Sequence, residues 1–182
     1  MYPLIPRFTE VARNGSGTIN HAIRITVGRD KVRCTDGNEL CDRRITQTPT
    51  VTAGFPQGYI WPASHSDGAA PTTTPAALPM GSHLRLQPTY TLVCPTNTPC
   101  PQAQVFVTAL KQYGAIIADT DGAGYGNMGL HAEWTPDGGW TDSDIIQLQT
   151  IPIKAFEVVD ATRSGCLDSY VWCPACANLW SP

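Results

Sequence analysis

Apolar positions fall at helical spacing in one stretch of this chain and alternate in several others, and the helical stretch organises the rest. From Pro101 to Asp121 the chain reads PQAQVFVTALKQYGAIIADTD. Val105, Ala109 and Tyr113 recur four apart with Phe106 and Leu110 beside them, which predicts a helix with one apolar face. Pro101 suits its first position, where a missing N–H leaves no bond unmade. Gly114 sits where a left-handed C-terminal cap is expected. Ala115-Ile116-Ile117-Ala118 follows at once as a short buried strand that ends in Asp119 and Asp121.

Alternation marks the other elements. In Ile19 to Val27, the residues Ile19, His21, Ile23, Ile25 and Val27 share one face and Asn20, Ala22, Arg24 and Thr26 the other, the pattern of a strand with one buried side. Ser82 to Tyr90 reads the same way, with Leu84 and Leu86 inward and His83 and Arg85 opposite. Pro88 puts that strand at an edge or marks its end. Leu130 to Trp134 and Ala155 to Val159 are further strands. Thr50 to Ala53 and Gln57 to Trp61 are short β candidates broken by Gly54 and Pro56. Thr141, three before Asp144, resembles a capping box opening a second, short helix with Ile145, Ile146 and Leu148. Residues 1–18 read as an extended entry ending in the turn NGSG, and 66–79 (SDGAAPTTTPAALP) as a Pro/Thr-rich surface loop. The sum is an α+β, mainly β fold: a single domain over 1–182, built as a compact antiparallel β-barrel or sandwich with two short inserted helices.

Composition narrows the setting. Of 182 residues, 42% are hydrophobic and only 15% charged, with Pro and Gly at 16 each; soluble domains carry roughly 25% charge. A net charge of −3 offers no electrostatic footprint for nucleic acid. Arg29, Lys31, Arg33, Arg43 and Arg44 cluster, but Asp30, Asp36, Glu39 and Asp42 interleave with them, as in a solvated loop. No apolar run approaches the roughly eighteen residues of a membrane span. The N-terminus lacks the charged and apolar regions of a signal peptide, and Asn14-Gly15-Ser16 is formally a glycosylation acceptor.

Seven cysteines fall into local groups: Cys34 with Cys41, Cys94 with Cys100, and Cys166 with Cys173 and Cys176. Short, Pro- and Thr-bearing loops such as CPTNTPC look like disulfide-closed turns of a secreted protein. Zinc is the competing reading of Cys173 and Cys176, which make half a site. An odd count leaves one cysteine free or paired outside the chain.

Several segments together resemble a family of secreted, largely uncharacterised bacterial proteins. Tyr2 to Pro6, Glu10-Val11 and Ile19 to Arg24 resemble its LPI-PGLVRYDEV and HALRFTV segments. Tyr59 to His65 resembles YVWPARH, and Leu78 to Gly81 with Leu84 to Leu86 resembles PPMG-R-RLKA. Pro101 to Gly122 resembles PQA--ILTALKTYGMILADNG, Gly139 to Ile145 resembles RW-DDDL, and Phe156 to Asp160 resembles FEVVD. Ser64 stands where that pattern has arginine, and Asp121 where it has asparagine. In the family these motifs form the C-terminal half of a longer secreted protein whose upstream half carries a cysteine of its own. The resemblance therefore implies a partner segment, or another copy, for the unpaired cysteine. It brings no settled activity.

The polar residues shared with that pattern are His21, Arg24, His65, Arg85, Asp119, Asp142 and Asp144. A carboxylate at the end of a buried strand, such as Asp119, is placed to have its acidity changed by desolvation. Asp119 with His65 and His21 is the candidate catalytic set, although His21 on an apolar face reads first as a hydrogen-bonded core histidine. Tyr59, Trp61, Arg85, Asp121, Trp134 and Trp140 are candidate substrate contacts, the aromatics as stacking platforms. A glycosidase needs two carboxylates roughly 5 to 10 Å apart, which Asp119 or Asp121 with Glu133 would supply. Tryptophans also serve as plain core, and Asp119 as a turn cap. No two histidines share a metal-ligand spacing, so no metal or other cofactor is expected. The expectation is an extracellular protein directed at a polysaccharide or cell-surface glycan. It acts there as a degrading hydrolase or lyase, or alternatively as a non-catalytic binding or surface-assembly module.

Overall fold

The computed structural model describes residues 4–32, 59–60, 62–70, 77–121, 128–135 and 139–159. Among them are three α-helices, α1 (Phe8–Val11), α2 (Pro101–Gln112) and α3 (Asp142–Ile145), and five strands, β1 (Ile23–Gly28), β2 (His83–Leu86), β3 (Ala115–Asp121), β4 (Gly129–Leu130) and β5 (Phe156–Val158). The strands form one sheet in the order β4-β1-β3-β2-β5. The sheet is open, with β4 and β5 as its end strands, and this corrects the expectation of a barrel or sandwich. Closure needs strands long enough to tilt and stagger around an axis, whereas β4 has two residues and β5 three.

The helix-to-strand unit forms as its pattern requires. Pro101 opens α2, and Val105, Phe106, Ala109 and Leu110 are all buried along it. Phe106 and Leu110 each contribute about 2 kcal/mol by leaving water. Gly114 adopts φ 72°, and its N–H and that of Tyr113 both return to the Ala109 carbonyl. A Cβ at Gly114 would meet the Leu84 carbonyl and the His83 ring, so both conformation and space demand glycine.

Chain contacts gather into two compact units. The first comprises Met1–Arg24, His83–Ala115 and His131–Pro182, the second Ile25–Ser82 and Ile116–Leu130. In the first, α2 lies against β2 over a core of Val11, Ile19, Ile23, Leu84, Leu86, Phe106 and Leu110. Strand β5 pairs antiparallel with β2, Leu84 opposite Val158 and Leu86 opposite Phe156. Cys94 and Cys100 form a disulfide with Cα atoms 5.8 Å apart; the other two cysteine groups lie outside the described residues. In the second unit, β1 pairs antiparallel with β4, Ile25 opposite Leu130. Val32 bridges Leu78 and Tyr59 bridges Met80, both in parallel, over buried Ile25, Val27, Val32, Ala70, Ala77, Met80 and Ile117. The described ends of the Pro/Thr-rich loop are stitched to residues 29–32 through Ala69 N–H to Arg29, Ala70 N–H to Val32 and Leu78 N–H to Lys31.

Several element boundaries differ from the alternation. Strand β1 starts at Ile23, not Ile19, because Arg24 N–H bonds Leu4 and Ile23 N–H bonds Gly114, leaving the preceding residues as a connection. His131 N–H still bonds the Arg24 carbonyl of β1, and beyond it the chain leaves the sheet, Glu133 N–H bonding the Pro6 carbonyl. The entry segment contains α1, which is too short to show a period. The Glu133 carboxylate accepts the Phe8 N–H at 3.0 Å and Glu10 that of Arg7 at 2.7 Å. The Thr50 to Ala53 candidate lies outside the described residues. Of Gln57 to Trp61, only Tyr59 and Ile60 fall within them.

The capping box at α3 is corrected too. Thr141 makes no side-chain cap bond, and Asp144, 2% exposed, turns to α2 instead. Its two oxygens accept the Gln102 N–H at 2.8 Å and the Ala103 N–H at 2.9 Å. A carboxylate on the first amides of a twelve-residue helix satisfies groups that the helix itself leaves open, and it does so better than a bond within its own four-residue turn.

Candidate functional site

The candidate residues divide between the units. Tyr59, His65, Asp119 and Asp121 belong to the second, and His21, Arg85, Trp134 and Trp140 to the first. Trp61 lies outside the described residues, and Asp121 is described as the last residue of β3 only.

In the second unit, β3 emerges from the core at Ile117 and carries half-buried Ala118, Asp119 and Thr120 at its far end. Asp119 Oδ1 accepts the Thr120 backbone N–H at 2.9 Å. The Thr120 hydroxyl donates to Asp67 Oδ2 at 2.7 Å, across 53 residues of sequence. Asp67 is itself tied down, its carbonyl accepting from Arg29 Nε at 2.9 Å. Buried Ser66 closes the turn after it by accepting the Gly68 N–H at 3.1 Å. Two carboxylates are thus bonded to one threonine. His65, two residues before Asp67, is exposed, with the Ser64 hydroxyl 3.4 Å from its Nδ1. Tyr59 is half-buried on its bridge to Met80, and Ile60 N–H bonds the Met80 carbonyl.

Asp67 and Thr120 were not visible as site residues in the sequence. Asp67-Gly68 reads as an ordinary turn pair, and a threonine in a strand is unremarkable. Only the pairing of a loop with a strand end brings them together.

In the first unit, both nitrogens of the His21 ring face acceptors. Nδ1 is 2.7 Å from the Ala22 carbonyl, and Nε2 is 3.4 Å from the Glu10 carboxylate. A ring held on both sides offers neither nitrogen to a substrate. Arg85 reaches Glu157 across the β2–β5 pair at 3.4 Å. Trp140 is half-buried, edge-on to Phe8 at 5.4 Å and tilted over Phe106 at 5.8 Å, with Nε1 donating to the Glu133 carbonyl at 2.7 Å. Those contacts make it a packing residue whose polar tip is satisfied. Trp134 differs: the residue is 81% exposed. Glu133 holds the start of α1, a structural task that sequence spacing could not suggest.

A shallow groove of about 200 Å³ runs between residues 15–19 and the Pro101 to Ala109 face of α2. Its glycines have packing reasons, since a Cβ at Gly15 would strike the Pro101 carbonyl and one at Gly17 the Glu10 carbonyl. Among the described residues, no three His, Cys, Asp or Glu side chains gather as metal ligands, and no helix is long and apolar enough to cross a membrane. No family model, curated protein or solved structure matches this chain.

Proposed function

We propose that this is a secreted, carbohydrate-directed protein that degrades a polysaccharide, as a hydrolase or a lyase, with Asp119 as its acid/base carboxylate and His65 as the partnering histidine. The observation that carries the reading is the end of β3, where Asp119 stands half-buried with its carboxylate aligned by the Thr120 amide and a second carboxylate, Asp67, bonded to the same residue. Glycoside hydrolysis uses two carboxyl groups: one protonates the leaving oxygen, while the other activates water or attacks the sugar carbon. A lyase instead needs a base to remove a ring proton, a task suited to an accessible imidazole. His65 is exposed beside Asp67, while His21 has both nitrogens engaged, so His65 suits the role better. Asp67 is bonded to the residue that orients Asp119 and Glu133 serves the start of α1, so the group that partners Asp119 in this reading is His65. A Cys94–Cys100 disulfide accords with an oxidising, extracellular setting.

The test is mass spectrometry of products released from a panel of polysaccharides by the wild type and by Asp119→Asn. Release by the wild type and its loss in a variant with unchanged thermal unfolding is the expected result. Silence from both proteins would sink the enzymatic reading.

One observation favours the alternative, a non-catalytic glycan-binding module. The exposed Trp134 follows a residue held on both sides, its N–H by Pro6 and its carbonyl by Trp140. A flat aromatic on a fixed backbone is the kind of surface on which a sugar ring stacks.

A further inference from the structure

We propose that Asp67 and Thr120 are positioning residues that hold the Asp119 carboxylate in its working orientation, a role that rests on the acid/base reading of Asp119. Thr120 donates from two atoms in two directions. Its hydroxyl bonds Asp67 Oδ2 at 2.7 Å and its amide bonds Asp119 Oδ1 at 2.9 Å. The first bond is charge-assisted and short, hence strong. It anchors the threonine side chain, and with it the plane of the 119–120 peptide that aims the amide at Asp119.

Asp67 is built as a fixed post for this purpose. Arg29 grips its carbonyl from a single 3-10 turn, Arg29–Lys31, and Ser66 closes the turn around Asp67 by accepting the Gly68 N–H. Its remaining oxygen, Oδ1, is buried, and no donor reaches it among the described residues. Leaving a carboxylate oxygen in that state costs stability. An asparagine or serine could tie a loop to a strand without burying a charge. A cost retained in this way is typical of sites where orientation matters more than stability. The loop 62–70 and the strand end are therefore coupled so that one carboxylate is aimed by way of the other.

The experiment uses the full chain with Thr120→Val, Thr120→Ser and Asp67→Ala. Three quantities are read: kcat and KM on the polysaccharide that the wild type cleaves, amide hydrogen exchange at residue 120 by NMR, and the thermal midpoint. Misplacing a catalytic group by about 1 Å costs up to roughly 100-fold. Thr120→Val and Asp67→Ala should accordingly lower kcat at least tenfold with KM little changed, and Thr120→Ser should restore it to within about twofold. Amide exchange at residue 120 should speed up in Asp67→Ala and in Thr120→Val, and stay near wild type in Thr120→Ser. A Thr120→Val protein with wild-type kcat overturns the proposal. So does a Thr120→Ser protein no better than Thr120→Val, or a residue-120 amide that exchanges alike in all four proteins. If the wild type releases no product, the acid/base reading falls and the catalytic part of the proposal with it. The exchange measurement then decides by itself whether Asp67 holds the 119–120 peptide.

Discussion

The imidazole of His83 is wedged between β2 and the end of α2, its Nε2–H donating to the Tyr113 carbonyl at 2.7 Å. Burial is the main reason that its pKa is lowered to about 4, with nearby Arg85 adding to the effect and the Tyr113 hydrogen bond opposing it. An unfolded histidine titrates near 6.5. The unfolded chain therefore binds a proton that the folded one refuses between those values, and stability rises with pH across that window. It is full above about pH 6.5 and declines as the pH falls toward 4, by on the order of 2–3 kcal/mol at the low end. Urea unfolding at pH 7 and at pH 4.5 should show this loss. His83→Gln, which keeps a donor for the Tyr113 carbonyl without gaining a charge, should remove most of it. An equal pH dependence in both proteins would place the acid-sensitive group elsewhere.

Helix α2 is held at its start by its neighbours and at its end by its own chain. Gln102 is fully buried. Its amide donates to the Ala12 and Gly139 carbonyls, and its oxygen accepts the Thr141 N–H. Asp144 takes the first helix amides, so residues 12, 102, 139, 141 and 144 form one lock around the helix entrance. The segments PQA and Gly139 to Ile145 meet here for a structural reason. Asp144→Ala would strip two buried amides of their acceptor and should cost about 2–4 kcal/mol, read as a shift in the urea midpoint. Asp142→Ala, at an exposed position two residues earlier, should change stability by no more than about 0.5 kcal/mol. Equal effects from the two would dissolve the lock.

For the molecule as a whole, exposure separates surface from framework. Trp134 is 81% exposed and bears little packing, so Trp134→Ala should move the thermal midpoint negligibly. If the protein is carbohydrate-directed through this face, the same change should weaken retention on immobilised polysaccharide several-fold, a loss of about 1 kcal/mol. Trp140→Ala offers the contrast. It removes a ring packed on Phe8 and Phe106 and should destabilise by about 3 kcal/mol or more. Affinity electrophoresis beside thermal unfolding distinguishes the two tryptophans. An unfolding shift in Trp134→Ala comparable to that in Trp140→Ala would remove the distinction.

What the sequence determined by itself is whatever depends on near neighbours in the chain. The helix from Pro101, its glycine stop at Gly114 and the strand that follows arise from periodicity and backbone conformation within twenty residues. The inward faces of β1 and β2 arise from a period of two, and the Cys94–Cys100 loop from short spacing. What the tertiary structure decided is whatever depends on partners far apart. It made the sheet open rather than closed, because β4 and β5 are too short to tilt and stagger around an axis, Glu133 having bonded Pro6 instead. It sent Asp144 to α2, because a long helix with unsatisfied amides outcompetes a local cap. It gave Glu133 to Phe8, Trp140 to Phe8 and Phe106, and His21 to Glu10 and Ala22. It also placed Asp67 against Thr120, joining a turn and a strand end that no local pattern connects. Spacing along a chain reports which face a residue shares; which oxygen meets which donor is set only when distant segments pack.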